Sequence, residues 1–168
     1  MLFRSLAVAD SEGRNGVWLA EQRLDVVWLD FSPAAKTKRG RWPPSEASRS
    51  LSFAPTCTFG IYPQTAFDVV VEIFAQFNLP AQRAIKWRGM RRVLKSGGIL
   101  IIPDYTPKQL DYGTGGPKQV EKLYTRAMLE QAFCDFRDVH VIEEEREMRE
   151  GTSHAGMSAM IGLTTIKP

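Results

Sequence analysis

The stretch LAVADSEGRNGVWLAEQRLDVVWLD, Leu6 to Asp30, carries the residues best suited to hold a nucleoside-like ligand. Ala9, Ser11 and Gly13 are small, so the backbone there can come close to a ligand. A helix beginning just after them would offer free N–H groups and positive potential at the same place. Asp30 follows Gly13 by seventeen residues, the distance at which an acid ending a second strand accepts from two ribose hydroxyls. The turn has a single glycine where such turns are usually richer. An ordinary tight turn between strand and helix, with Asp30 capping the next helix, accounts for the same residues.

The elements needed to position that turn are legible. Leu6 to Val8 is an apolar strand, Gly16 to Gln22 has helical composition, and LDVVWLD (24–30) is a buried strand. Ser32 as N-cap with Pro33 at the first helical position predicts another helix over 32–38. AFDVVVEIFAQF (66–77) is a buried strand running into a loop, AQRAIKWRGMRRVL (81–94) a helix, and KSGGILIIPDY (95–105) a glycine turn followed by a strand. Residues 125–133 read as a helix with Thr125 at its N-cap, 137–150 as a strand, and 154–168 as a last strand hairpinned to it. Alternating strands and helices argue for an α/β, doubly wound, mainly parallel sheet, closed by an antiparallel C-terminal strand pair.

With 168 residues, 43% of them hydrophobic and 24% charged, the chain is expected to form one globular domain, 1–168. The net charge of +3 is small and spread along the chain, which argues against a nucleic-acid partner. The densest basic run, MRRVLK (90–95), reads as a solvated helix face. Cys57, Cys134, His140 and His154 show no metal-ligand spacing, so no metal is expected, and reduced thiols fit a cytoplasmic protein. There is no apolar run of transmembrane length, no membrane partner is expected, and the first residues lack a signal-peptide pattern.

In order along the chain stand EGRNGVWLAEQRLDVVWLDFSPAA, FDVVVEIFAQF, RRVLKSGGIL, YTPKQLDYGTGGP, LYT and EGTSHAGMSA. They resemble the small class I S-adenosylmethionine-dependent methyltransferases of the tellurite-resistance (TehB-like) type, a likeness that extends over about two thirds of the chain. The resemblance implies a seven-stranded Rossmann-like fold, S-adenosylmethionine as cofactor, a small-molecule methyl acceptor, and a monomer or weak dimer. It places Ala9, Asp10, Ser11, Glu12 and Gly13 in the cofactor turn, followed by Arg14 and Asn15. Asp30, with Phe31 after it, matches the ribose-binding acid, and Glu72, Ile73 and Phe74 match the loop lining the sulfonium side. Tyr105, Tyr112 and His154 are candidates for the acceptor side, with Tyr112 and 114–117 in a loop able to act as a lid. Phe74 and Tyr105 offer aromatic faces to the positive sulfur, with plain packing their commoner role; the glycine-rich loop is equally well only a turn, and His154 more often a structural histidine. No catalytic residue is assigned, because in-line methyl transfer rests on orientation and exclusion of water.

Departures from the family pattern matter. Ser11 stands where glycine is common, and Pro103 is expected to weaken the strand end next to the acceptor pocket. The chain begins almost at its first strand, so the N-terminal helical segment that covers the cofactor is expected to be missing. Residues 39–63, RGRWPPSEASRSLSFAPTCTFGIYP, have no period of either kind where a helix end, a third strand and an adenine-binding acid belong. The codons of Trp-Pro, read one nucleotide earlier, contain an alanine codon. The same shift across the segment permits a helix end, a glycine turn, a strand and an acid. A frameshifted segment that replaces strand three by loop is therefore expected, against a genuine Pro/Ser-rich insertion. A non-catalytic, truncated methyltransferase remnant with weak or no cofactor binding competes with an active enzyme. A nicotinamide-dependent oxidoreductase needs a fuller glycine fingerprint than ADSEG.

Overall fold

A computed structural model describes residues 3–10, 13–30, 51–54, 64–150 and 154–168. Seven strands form one sheet in the order β3-β2-β1-β4-β5-β7-β6. They are β1 (Arg4–Val8), β2 (Asp25–Leu29), β3 (Leu51–Ala54), β4 (Phe67–Glu72), β5 (Leu94–Tyr105), β6 (Arg137–Glu150) and β7 (His154–Ile166). The first five run parallel; β7 is antiparallel to both β5 and β6. This is the doubly wound, Rossmann-like sheet with an antiparallel final pair that the alternation of elements predicts.

The helices are α1 (Arg14–Glu21), α2 (Pro80–Val93), the single turn α3 (Gln109–Tyr112) and α4 (Arg126–Ala132). Apolar residues of β1, β2, β4 and β5 are covered on both faces. One core gathers Leu6, Leu29, Val70, Leu100 and Ile102 with Trp87 and Met90 of α2; the other packs Ala7, Val26, Trp28 and Val71 against Leu19 and Ala20 of α1. Two-sided burial explains why these strands read as continuous apolar runs rather than alternating ones. In α2, Pro80 takes the first helical position, Gln82 accepts from the Leu79 N–H at 3.1 Å, and the buried face runs Arg83, Lys86, Trp87, Met90, Val93. Thr125 caps α4 by accepting from the Met128 N–H at 3.3 Å.

Three expectations are corrected. Leu51–Ala54 is a strand, not loop: Val26 to Leu29 pair in parallel with Leu51 to Ala54, because an open edge of β2 accepts any short segment able to extend. Residues 31–50 and 55–63, with the predicted helix over 32–38, lie outside the described residues. Pro103 does not interrupt β5, which stays paired with β7 as far as Tyr105 opposite Met160. The Pro103 carbonyl points to the β4 side, where it accepts from the Phe74 N–H at 3.1 Å. The missing N–H would face that same side, past the end of β4, so no ladder bond is lost. The basic run is not simply a solvated face either. Arg91 donates to the Ala132 carbonyl at 2.7 Å and to Asp135 at 2.5 Å, and Lys95 pairs with Asp68 at 2.7 Å.

Candidate functional site

The order of the strands fixes where a ligand belongs. From β1 the chain winds outward to β2 and β3, then returns to β4 on the other side of β1. The carboxyl ends of β1 and β4 therefore flank the crevice where connections diverge, the usual ligand position in an open α/β sheet. Register sets the ends level: Val8 pairs with Leu29 on one side and Glu72 on the other. Ala9, Asp10, Asp30, Glu72, Ile73 and Phe74 thus meet at one edge, although the third acid follows the second by 42 residues of sequence. Ser11, Glu12 and Phe31 lie outside the described residues.

The first turn is tightly built. Ala9 adopts φ 56°, a left-handed value that glycine takes more easily, and Gly13 adopts φ 80°. A Cβ on Gly13 would stand 3.1 Å from the Trp28 ring, so this glycine is needed for close contact as well as for conformation. The buried Asp10 carboxylate accepts from the Asn15 N–H (3.1 Å), the Asn15 side-chain amide (2.8 Å) and the Gly16 N–H (2.6 Å). It thereby caps the free amides that open α1. Burial outweighs these donors and pushes its pKa up from 3.8 to about 6. Asp30, buried at the end of β2, stands beside this turn.

The segment after β4 forms the opposite wall. The Gln76 side chain imitates a strand, donating to the Tyr105 carbonyl at 2.7 Å and accepting from the Tyr105 N–H at 3.0 Å. Phe74, at φ 50°, stacks on the Tyr105 ring with centroids 5.0 Å apart. Glu72 faces inward: one carboxylate oxygen accepts from Lys86 and Tyr124, each at 2.6 Å, and the other from the Trp87 indole at 3.1 Å. Lys86 also donates to the Ala75 carbonyl at 2.9 Å. Beside this pair lies Asp104, fully buried, with no hydrogen-bond partner on either oxygen among the described residues. Burial, reinforced by the neighbouring Glu72 charge, holds its carboxyl well above the usual carboxylate range.

The acceptor-side candidates separate. Tyr105 is buried with Leu123, Met148 and Met160, and a Cβ on Gly116 (φ 73°) would come within 2.8 Å of its ring. The GTGGP loop is tied down: Gln109 donates to Thr114 at 3.0 Å and accepts from the Ala159 N–H at 2.8 Å, and Thr114 donates to the Met157 carbonyl at 2.5 Å. Tyr112 hydrogen-bonds Glu145, which also pairs with Lys108 at 2.6 Å. Lys108 and Glu145, though not Tyr112, line a cavity of about 190 Å³ between Thr106 and Lys108 on one side and Glu143–Glu145, Ala159 and Met160 on the other. His154 opens β7 opposite Glu150, six residues from Met160, so about 20 Å of strand separates it from the level of Tyr105. Among the described residues no group of three or more His, Cys, Asp or Glu is placed to hold a metal, and no helix is long and apolar enough to cross a membrane.

Lys86, Tyr124, Gln76 and Asp104 have no signal in the sequence as site residues. Lys86 sits in a helix that also carries the exposed Arg88, and its burial follows only from the helical phase of Trp87 and Met90.

No protein-family model matches the chain, and no curated protein matches it in sequence. Solved structures do match in fold. An S-adenosylmethionine-dependent methyltransferase from Methanosarcina mazei is 15% identical with a TM-score of 0.74, over 99% of this chain and 92% of that one. TehB from Haemophilus influenzae is 14% identical with a TM-score of 0.72, over 99% of this chain and 58% of that one. The 4+2 cyclase SpnF is 18% identical with a TM-score of 0.70, over 99% and 76%. The chain has the fold of class I methyltransferases, and at this identity the likeness speaks for the fold alone.

Proposed function

We propose that this chain is an S-adenosylmethionine-dependent methyltransferase acting on a small-molecule acceptor. The observation that carries the reading is the meeting, at one sheet edge, of the turn after β1, the buried acid Asp30 and the aromatic wall of Phe74 and Tyr105. The donor set fits the cofactor: Asp30 would accept from the ribose hydroxyls, the backbone at Ala9 and Asp10 would face its amino-acid end, and the partly buried Phe74 ring, backed by Tyr105, suits a positive sulfur. When bound, the cofactor supplies an electrophilic methyl group on its sulfonium. The residues of this chain orient it and keep water out, the larger part of what in-line transfer requires. No base is assigned.

A second reading, a non-catalytic methyltransferase-like domain, is favoured by the inward use of two acids. The Asp10 carboxylate is taken up by α1, and that of Glu72 by Lys86, Trp87 and Tyr124. Calorimetric titration of the folded protein with S-adenosylmethionine separates the two. The first reading expects saturable micromolar binding that weakens at least about tenfold in Asp30→Ala, the loss of a charge-assisted hydrogen bond. An absence of binding by wild type selects the second.

A further inference from the structure

The wall formed by residues 73–78 hangs from three anchors. Two are bonds to β5: the Phe74 N–H to the Pro103 carbonyl, and the Gln76 side chain to both polar groups of the Tyr105 backbone. The third is ionic. The Lys86 ammonium reaches from α2 to the carbonyl of Ala75, a residue with 1% of its surface exposed. Its other contacts are Glu72 at 2.6 Å and the Tyr124 hydroxyl at 3.5 Å, so its three donors are all in use. Asp104 of β5 stands two residues past the position level with Glu72, on the same face of the sheet, near Lys86 and facing the Ala75 and Tyr105 amides. A buried carboxyl with no hydrogen bond on either oxygen among the described residues is a cost that folds seldom carry without a use.

We propose that Asp104 is a positioning residue for the crevice wall 73–78, acting through Lys86. As a neutral acid it leaves the cluster with one negative charge, on Glu72, matched by one positive charge, on Lys86. The ammonium is then free to keep one donor on the Ala75 carbonyl. Once ionised, Asp104 sets two buried carboxylates around one ammonium. Lys86 is drawn between them and the Ala75 carbonyl loses its partner. The other groups packed here do not relieve this. The Tyr124 phenol is itself pushed well up, by burial first and then by Glu72 and Asp104. Arg83 lies over the Trp87 and Tyr124 rings and donates to the Glu121 carbonyl at 2.8 Å. The expectation is a wall that is firm while Asp104 is neutral and loosens as pH rises through its ionisation.

This deepens the cofactor reading above, since the wall is the proposed sulfonium side, but its test does not depend on that reading. The test is amide hydrogen exchange at Phe74 and Tyr105 in the full chain, corrected for intrinsic rates, across the pH range over which the chain stays folded. In wild type, exchange should rise at least about tenfold as pH increases. Asp104→Asn, a permanent stand-in for the neutral acid, should match wild type at the low-pH end and lack the rise. Asp104→Ala, likewise uncharged, should also lack the rise. If Asp104→Asn follows the wild-type pH dependence, the proposal is overturned, and that comparison stands even where Asp104→Ala does not fold. S-adenosylmethionine titration of the same proteins keeps the two readings apart. Exchange as expected without binding removes the cofactor reading alone, and binding with pH-insensitive exchange removes the positioning role alone.

Discussion

Two buried aspartates stand at the same edge of one sheet and are treated in opposite ways. Asp10, after β1, receives three donors from Asn15 and Gly16, and burial still raises it to about 6. Asp104, near the end of β5, makes no hydrogen bond on either oxygen among the described residues, though the Ala75 and Tyr105 amides face it, and it is raised well above the usual range. The difference lies in the local chain. A helix opening beside Asp10 has amides that need an acceptor, so acid and helix offset one another's desolvation. Asp104 sits inside a ladder whose backbone groups are already paired with β7, and its neighbours are another acid and that acid's counter-ion. The β1 side of the crevice is thus held by local capping, and the β4–β5 side by contacts between residues far apart in sequence.

Four substitutions sharpen or break this contrast. Lys86→Met leaves Glu72 buried without its counter-ion and should cost about 3–5 kcal/mol in denaturant melts. A loss under about 1 kcal/mol would mean the far side does not depend on its ion pair. Asp10→Asn addresses the near side through pH. The folded chain binds the Asp10 proton more tightly than the unfolded chain does, so its contribution to stability is fully present below pH 3.8 and is lost as pH rises through about 6. Wild type should lose about 3 kcal/mol relative to Asp10→Asn across that window, and parallel stability curves would refute it. Gly13→Ala should cost about 2 kcal/mol from its positive φ and the Trp28 contact, seen as a lowered melting temperature. Ala9→Gly should stabilise by about 0.5 kcal/mol, the relief of a left-handed alanine less the added chain entropy of glycine. A loss there would show that Ala9 is not under strain.

Much of the frame is legible in residue types. The buried runs of β1, β2 and β4, the Thr125 cap and the final hairpin all depend on neighbours close in sequence or on simple periodicity. KSGG has the residue types of a turn and proves to be an irregularity inside β5, where Gly97 takes φ 75° and the register between Phe67 and Val69 shifts. β3 was not legible, because four residues inside a proline- and serine-rich stretch carry too little period to announce a strand. What makes them one is the open edge of β2. Pro103 misled for a related reason: whether a proline harms a strand depends on which side its missing N–H would face.

The same division runs through the site. Sequence alone singled out the turn and the acid that follows it at fixed spacing, because each belongs to one short segment with a chemistry of its own; Glu72, Ile73 and Phe74 after β4 are marked only by the family resemblance. The tertiary structure decided that the carboxylates of Asp10 and Glu72 turn inward, that Tyr105 lies under Gly116, and that His154 stands some 20 Å of strand beyond it. It alone brings Lys86, Tyr124 and Asp104 around Glu72. The physical reason is that a charge in the interior is tolerable only where the whole chain supplies its partner, and no local pattern records which distant residue that will be.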